Sequence, residues 1–397
     1  MREIDFPLLG LLLFVASLVA MVTRRLNLPY SAGLVLAGLV LALLPFGFEV
    51  PLTPELVFTV LLPPLIFEAA IQIPWRPFRR ELPILLALVT IGVLLAAAVV
   101  AAGMHWLVGW SWLGAAFFGI LIAATDPVSV LAMFRTLRVE ERLHLLVESE
   151  SLLNDAVAAV GFAVLVAIAG GESAGAAAAA GKFLLTAAGG VAAGAAITLP
   201  LLALAGRTTD HLVEITLTTL AAWGAFLLAE HFHVSGVLAA LTAGMLVGNV
   251  GWMGSISDEG RPAVLSFWEY AAFLANGVVF ILIGGGEARV PLGAVLEAAG
   301  VAIILSLVGR IATIYPVALA FGRSRLALPR AYRIVLWWGG LRGALALALA
   351  LALPPTVAER DEIVAVAFAV VAFSVFVQGL TMEPLMRRLG LLPRRGR

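Results

Sequence analysis

Three acidic side chains and one amide lie within the eight residues ESESLLND that run from Glu148 to Asp155. The flanking residues are apolar enough for this segment to lie inside a lipid bilayer. An ionised carboxylate in the middle of a membrane costs roughly 2.5–3.5 kcal/mol, unless it pairs with another charge, takes up a proton or binds a cation. These residue types therefore indicate chemistry with charges, protons or ions.

Helical spacing divides this segment into two faces. Ser151 and Asp155 are four residues apart and share one face, whereas Glu150 and Asn154 form a second stripe rotated by about 100°. One face can bind a ligand while the other braces the helix against its neighbours.

Other polar residues lie near the middle of their own predicted helices and can reach the same depth as Asp155. With the Ser151 hydroxyl, Thr125 and Glu68, the Asp155 carboxylate would form an all-oxygen cluster. Hard cations such as Na⁺ prefer oxygen ligands, whereas transition metals favour His and Cys, which are absent there. The sequence thus predicts a cation site at Asp155, Ser151, Thr125 and Glu68.

Buried acidic groups need partners. Besides Arg342, Arg310 is the other cation clearly inside a predicted span, so we predict an ion pair between Glu150 and Arg310 that braces the structure. Glu148 lies nearer the cytoplasmic end and is expected to line an inner funnel. Glu269 and Glu230 lie near span ends, where snorkelling to water explains them.

Composition indicates an all-α polytopic membrane protein. Of the 397 residues, 62% are hydrophobic and only 13% are charged, and the mean hydropathy is +1.06. Apolar runs of about 20 residues, enough to cross the hydrocarbon layer, recur along the whole chain. We count about thirteen spans, at 6–23, 29–46, 54–73, 82–107, 112–137, 145–170, 180–206, 212–230, 235–252, 264–286, 291–322, 332–353 and 361–386.

Basic residues are distributed unevenly between alternate loops. One side holds only Arg2, Lys182, Arg289 and Arg360, whereas the other carries Arg207, Arg261 and the clusters at 24–25, 76–80, 135–142, 323–333 and 387–397. By the positive-inside rule, the N-terminus lies outside and the C-terminus lies in the cytoplasm. An odd number of spans agrees with this orientation.

Thirteen spans divide into two halves of six with one span between them. The two halves then enter the membrane from opposite faces, as expected for an inverted repeat. Secondary transporters built this way place an interrupted helix at matching positions in both halves. The fifth span is interrupted at Thr125-Asp126-Pro127 and the twelfth at Gly339-Gly340-Leu341-Arg342-Gly343. Asp126 has the right sign to offset the positive ends of the crossed half-helices, and Arg342 the right sign to offset the negative ends.

Other functional classes fit less well. An ATP-driven pump needs a phosphate-binding loop, and the nearest candidate, 175–182, has the wrong spacing and no Ser or Thr after its Lys. An intramembrane aspartyl protease could use Asp126 and Asp155 as a dyad, but this would leave the buried arginines unexplained. A channel would not need the pair of interrupted helices. We expect no cofactor, no nucleotide and no nucleic acid partner.

The motifs resemble those of the Na⁺/H⁺ antiporters of the cation/proton antiporter-1 group, the prokaryotic NhaP type related to eukaryotic sodium/proton exchangers. The resemblance covers most of the chain and rests on 62–68 (LPPLIFE), 124–128 (ATDPV), 150–155 (ESLLND), Arg310 with Tyr315-Pro316, and 339–343 (GGLRG). It implies the NhaA-like fold of inverted six-helix repeats with two crossed, interrupted helices.

The resemblance also implies roles. Asp155 would be the essential carboxylate that binds Na⁺ or Li⁺ and the proton. Asn154, which stands where electrogenic relatives have a second Asp, would belong to the same cation- and proton-binding set. One exchangeable carboxylate implies one proton per cation. Glu68, Thr125 and Ser151 would help to coordinate the cation, and K⁺/H⁺ exchange is the alternative. The expected location is the bacterial inner membrane, in contact with lipid.

Family members form homodimers with a dimerisation domain and a mobile six-helix core domain, an arrangement that the resemblance implies for this single 1–397 unit. The expected dimerisation parts are 1–73 and 212–286, the core parts are 82–170 and 291–386, 180–206 is a linking helix, and 387–397 is a short cytoplasmic tail.

Overall fold

The computed structural model describes residues 6–26, 29–44, 53–126, 130–131, 134, 139–171, 175–287 and 292–392. Secondary structure in these residues is helical. The helices are α1 (Phe6–Leu26), α2 (Tyr30–Leu43), α3 (Leu62–Gln72), α4 (Trp75–Ala87), α5 (Val93–Gly103), α6 (Trp112–Ala123), α7 (Glu141–Ala169), α8 (Ala176–Ala205), α9 (His211–His231), α10 (Gly236–Asn249), α11 (Gly260–Glu287), α12 (Leu292–Ala320), α13 (Arg330–Trp338), α14 (Ala344–Leu351), α15 (Arg360–Phe373) and α16 (Gly379–Arg388).

Short π-helical turns extend or join several of these helices. They lie at Leu56–Leu61, Leu88–Gly92, Met104–Val108 and Ser374–Gln378. In the described part of the chain, eight helical runs are long and apolar enough to cross a membrane, and shorter apolar helices accompany them. The protein is therefore a multi-pass membrane protein. The break residue Pro127, and the basic residues Arg2, Arg135, Arg138 and Arg289, lie outside the described residues.

Helix ends differ from the predicted spans where polar residues continue a helix beyond the bilayer. The span predicted at 82–107 is part of one helical run from Trp75 to Val108. The predicted span 145–170 matches a helix that starts four residues earlier and ends one residue earlier, Glu141–Ala169. The hydropathy of a segment marks where the membrane lies, whereas backbone hydrogen bonding decides where a helix ends, so the basic residues near Trp75 remain helical.

The helices pack in two groups. In the first, which we call the scaffold group, α11 packs against α1, α2 and α3. In the same group α8, α9 and α10 pack against one another, and α9 and α10 also pack against α3. In the second, the crossing group, α12 packs against α5, α13 and α15, while α6 packs against α5, α7 and α14. The scaffold-group helices α1–α3 and α9–α11 lie in the predicted segments 1–73 and 212–286, and the crossing-group helices named here lie in 82–170 and 291–386. The assignment of these segments to a dimerisation domain and a mobile core domain stays a prediction.

Glycine brings two scaffold helices into backbone contact. A Cβ atom at Gly38 of α2 would lie 2.0 Å from the Ile281 carbonyl oxygen, and one at Gly284 of α11 would lie 1.9 Å from that of Val35. No side chain fits at these distances, because the neighbouring atoms belong to the backbone and cannot rotate away. The α2–α11 pair thus forms a closely packed wall beside the crossing group.

Candidate functional site

Two helix interruptions meet inside the crossing group. α6 ends at Ala123 and the chain is non-helical from Ala124 to Asp126. The chain between α13 and α14 is likewise non-helical over much of 339–343. The Asp126 amide donates a hydrogen bond to the Leu341 carbonyl oxygen at 2.8 Å. The two breaks therefore touch, and each leaves helix ends inside the membrane.

Charged side chains lie at these helix ends. The Arg342 guanidinium donates to the carbonyl oxygen of Ala124, at the C-terminal end of α6, at 3.4 Å. The Asp126 carboxylate lies against Gly343, just before α14, where a Cβ atom would be only 2.0 Å from its Oδ2. A cation therefore faces the negative end of one half-helix and an anion the positive end of the other.

α7 satisfies the backbone that the first break sets free. The Ser151 hydroxyl donates to the Thr125 carbonyl oxygen at 2.5 Å. The Asn154 side chain accepts from the Thr125 amide at 3.1 Å and donates to the Thr125 hydroxyl at 2.6 Å. These bonds hold the extended segment against α7, so that Thr125 is fixed beside Ser151.

The same network continues to the second break. Asn154 also donates to Glu150 at 3.3 Å, and the Arg310 guanidinium donates to Glu150 at 2.7 Å. A second Arg310 nitrogen donates to the Leu336 carbonyl oxygen, near the end of α13, at 2.5 Å. Since Glu150 and Arg310 are almost wholly buried, at 3% and 4% exposure, this chain of bonds braces both interrupted helices.

Asn154 is placed differently from the sequence-based expectation that it helps to bind the cation. Its side chain is fully buried, and its amide groups bond to Thr125 and Glu150. It does not line the cavity beside Asp155. Within the structure it belongs to the bracing stripe that helical spacing predicts for Glu150 and Asn154.

A cavity of about 250 Å³ lies next to the crossing point. Six of the residues singled out from the sequence line it: Glu68, Thr125, Asp126, Glu148, Ser151 and Asp155. Glu150, Arg310 and Arg342 lie behind its wall. The structure therefore brings together the predicted cation ligands, and it separates them from the predicted bracing residues.

The Asp155 carboxylate has one oxygen that is not used by the protein. Its Oδ1 is buried and has no hydrogen-bond partner among the described residues. In the same cavity, Glu68 accepts a hydrogen bond from the Gln72 amide, and Glu148 Oε2 lies 3.6 Å from the His144 ring. A buried carboxylate oxygen without a protein partner calls for a ligand, either a proton or a cation.

The oxygen groups around Asp155 suit an exchangeable alkali cation. In the described part of the chain, no group of three or more His, Cys, Asp or Glu residues is placed to hold a metal ion. Tight transition-metal binding needs such a group, whereas Na⁺ or Li⁺ can use carboxylate, hydroxyl and carbonyl oxygens together with water. The carboxylate and hydroxyl oxygens that line the cavity are of the kind that an alkali cation can use.

The cavity extends from Asp155 towards one membrane face. Its lining residues on α7 are Glu148, Ser151, Leu152 and Asp155, all in the N-terminal half of that helix. On α2 the lining residue is Tyr30, the first residue of that helix. Both helices start at the Arg-rich loops, so the cavity extends towards the Arg-rich face.

Sequence reasoning missed the scaffold side of this cavity. Tyr30 from α2 and Glu269, Phe273 and Asn276 from α11 line it opposite Asp155. Glu269 is exposed, as expected for a side chain that snorkels to water, but its side chain lines the cavity. The signal was present, since residues 269, 273 and 276 follow helical spacing and place a carboxylate and an amide on one face of an apolar span.

Comparison with known proteins gives the same picture. Residues 10–388 match the family described as sodium/hydrogen exchanger, transmembrane. The chain is 36% identical to the Na⁺/H⁺ antiporter ApNhaP of Aphanothece halophytica, over 92% of this chain and 70% of that one. It is 32% identical to the Na⁺/H⁺ antiporter NhaH of Halobacillus dabanensis, over 96% of this chain and 97% of that one.

A solved structure has a similar fold. The sodium proton antiporter MjNhaP1 from Methanocaldococcus jannaschii matches with a TM-score of 0.74, over 96% of both chains and at 18% sequence identity. This likeness extends along the whole transmembrane region and agrees with the predicted antiporter fold.

Proposed function

Because the chain belongs to the family of transmembrane sodium/hydrogen exchangers, which are transporters and not enzymes, we propose that it exchanges Na⁺ or Li⁺ for H⁺ at Asp155. The intramembrane protease alternative is thereby excluded. The relatives are named Na⁺/H⁺ antiporters, which favours Na⁺ over K⁺ as the transported ion.

The observation that carries this proposal is the unused oxygen of Asp155 in the cavity. A proton or a cation bound there neutralises the carboxylate, and the two compete because they use the same oxygen atoms. Glu68, Thr125 and Ser151 add further oxygen atoms around the cation. An uncompensated charge is costly in a low-dielectric barrier, so the site changes its access to the two sides only when a proton or a cation neutralises it. This requirement couples the transport of the two ions.

The stoichiometry follows from the neighbours of Asp155. Asn154 carries no charge and is bound to Thr125 and Glu150, and Glu150 is paired with Arg310. Asp155 then exchanges one proton for one monovalent cation, and the cycle moves no net charge. Membrane voltage is therefore not expected to drive the exchange.

Movement of the crossing group against the scaffold group would switch the access of the site. Inverted-repeat transporters alternate in this way around a fixed central site. The cavity faces the Arg-rich loops, which the positive-inside rule assigns to the cytoplasm, so this structure would be inward-facing. We place the protein in the bacterial inner membrane, with its N-terminus outside, as a homodimer joined through the scaffold group.

The test is a proteoliposome assay in which an imposed pH gradient is followed after addition of Na⁺, Li⁺ or K⁺. We expect Na⁺ and Li⁺ to dissipate the gradient with wild-type protein and not with Asp155→Asn. A potassium and valinomycin voltage clamp should leave the Na⁺ response unchanged.

A matched control is Asp361→Asn, the same substitution at a side chain that is 98% exposed. It should transport like wild type. Gradient dissipation by K⁺ alone would move the assignment to K⁺/H⁺ exchange. Full Na⁺ activity in Asp155→Asn would overturn the role of Asp155, and a voltage-dependent rate would overturn the one-to-one exchange.

A further inference from the structure

Polar groups on the scaffold wall of the cavity are not used within the protein. The Tyr30 hydroxyl is buried and has no hydrogen-bond partner among the described residues. Glu269 is exposed, and the ion pairs found in the described chain do not include it. The Asn276 amide likewise forms no hydrogen bond with any described residue.

These groups share one surface because of the way that α2 and α11 pack. The Tyr30 ring is stacked on Phe273, with ring centroids 5.4 Å apart, and its hydroxyl lies 3.5 Å from the position of a Cβ atom at Gly277. Asn276 is the neighbour of Gly277 in sequence. Glu269 lies about two turns nearer the cytoplasmic start of α11. All three polar side chains line the cavity that holds Asp155.

Polar groups in an apolar span are costly unless they meet water or an ion. The cavity volume of about 250 Å³ has room for several water molecules, each of which occupies roughly 30 Å³ in the liquid. A hydrated monovalent cation therefore fits between the scaffold wall and Asp155. The Glu269 carboxylate supplies the negative charge, while the amide and the hydroxyl can bond to its water molecules.

We propose that Tyr30, Glu269 and Asn276 form a second cation site, on the scaffold wall, that holds a hydrated Na⁺ on the cytoplasmic side before it loses water at Asp155. The inference rests on the proposed exchange function and adds a binding step to it. Glu269 raises the local concentration of cations by electrostatic attraction. The two other side chains keep the ion hydrated, which distinguishes this site from the direct oxygen ligands on the opposite wall.

The first test measures Na⁺-dependent exchange in everted vesicles, where the cytoplasmic face is accessible, for wild type and Glu269→Gln. We expect KM for Na⁺ to rise about 3- to 10-fold with Vmax unchanged, because the site acts before the transport step. The increase should shrink when ionic strength is raised with choline chloride, since salt screens a solvent-accessible charge.

A matched control is Glu297→Gln, which removes the same charge from an exposed position on α12 away from the cavity. Its KM should equal that of wild type. An unchanged KM in Glu269→Gln, or an equal rise in Glu297→Gln, would overturn the scaffold site.

The second test uses Tyr30→Phe, which removes the hydroxyl and keeps the ring stacked on Phe273. We expect KM for Na⁺ to rise about 2-fold, without a change in thermal stability. A wild-type KM in both Tyr30→Phe and Asn276→Ala would show that the hydration contacts are wrong.

The outcomes separate this inference from the proposed function. If wild type shows no Na⁺-dependent exchange, the function itself fails. If wild type exchanges Na⁺, Asp155→Asn is inactive and the scaffold variants behave like wild type, the function stands and only the second cation site fails.

Discussion

The scaffold group and the crossing group are stabilised in opposite ways. In the scaffold group, α2 and α11 touch through backbone atoms at Gly38 and Gly284. In the crossing group, Glu150 and Arg310 form a buried ion pair between α7 and α12, and these helices pack against α6 and α13, which end at the two breaks. Close backbone contacts resist deformation, whereas buried charges fix a unique arrangement of polar groups. One group therefore supplies a stiff surface, and the other supplies a precisely arranged site.

Among the described residues, the boundary between the groups contains neither these glycine contacts nor the Glu150–Arg310 pair. The cavity lies there, lined by side chains of both groups. Relative movement at such a boundary need not break the glycine contacts or the buried ion pair. The difference between the groups would thus let one chain combine a rigid ion site with the movement proposed for alternating access.

The largest expected effect is the loss of one partner of the buried ion pair. Arg310→Met leaves Glu150 buried without its cation and should destabilise the protein by about 3–5 kcal/mol. The measurement is thermal unfolding in detergent, with Na⁺/H⁺ exchange assayed in parallel.

The double variant Glu150→Leu/Arg310→Met is the control, since it removes both charges of the pair and leaves neither charge buried alone. It should recover much of the lost stability. A stable Arg310→Met protein would show that the pair does not brace the crossing group.

A smaller effect is expected in the scaffold group. Gly284→Ala places a methyl group 1.9 Å from the Val35 carbonyl oxygen, so α2 and α11 must separate, at a cost of about 1–3 kcal/mol. Gly300→Ala on α12 is the matched control, because its methyl group meets no atom within 4 Å. Thermal unfolding should show a loss for the first variant and no loss for the second. Equal melting temperatures would mean that the scaffold tolerates separation.

A third prediction concerns charge at the crossing. Gly343→Ala places a methyl group 2.0 Å from the Asp126 carboxylate, which must then leave the N-terminal end of α14. We expect a loss of about 1–2 kcal/mol in stability, as for other favourable charges at helix ends, and a larger proportional loss of exchange rate. Proteoliposome assays and unfolding on the same preparation measure both quantities. Retained activity would make Asp126 dispensable as a compensating charge.

The smallest effect is expected outside the membrane. Burial raises the pKa of Glu359. Hydrogen bonds from the amide and hydroxyl of Ser111, at 2.8 and 2.9 Å, lower it by more than burial raises it, so the pKa lies below its ordinary value. The ionised carboxylate then stabilises the fold above the ordinary Glu pKa, and this contribution disappears as the pH falls through the lowered pKa.

Glu359→Gln should therefore melt slightly below wild type at neutral pH, by the equivalent of about 1 kcal/mol or less. The difference should vanish once both proteins are acidified below the lowered pKa. Glu362→Gln, which changes a nearby acidic residue on α15, provides the control. A difference that persists in acid would mean that Glu359 acts through packing alone.

Local sequence signals predicted much of this molecule. Apolar runs located the helices, and Thr125-Asp126 and 339–343 located the two breaks, because Pro and Gly change backbone preferences at their own positions. The partners Glu150 and Arg310 could be inferred by elimination, since few cations lie in the predicted spans. Such features depend on one segment, or on a choice among very few candidates.

Features that depend on how helices rotate against one another were not predictable. The orientation of Asn154 towards Thr125 and Glu150 depends on how α7 meets the broken α6. The cavity position of Glu269 depends on which face of α11 turns towards the crossing group. Hydrophobic periodicity identifies the polar face of a helix, but it does not identify the neighbour that this face meets.

The hydrogen-bonded chain from Thr125 through Asn154, Glu150 and Arg310 to Leu336 also bears on the direction of transport. A brace that joins both interrupted helices holds Thr125, Ser151 and Asp155 as one unit, so under the proposed alternating access a cation would meet the same arrangement of these three groups on either side of the membrane. Equal intrinsic affinity on the two sides would give the exchanger no built-in direction. The direction of net exchange would then be set only by the combined free energy of the Na⁺ and H⁺ gradients.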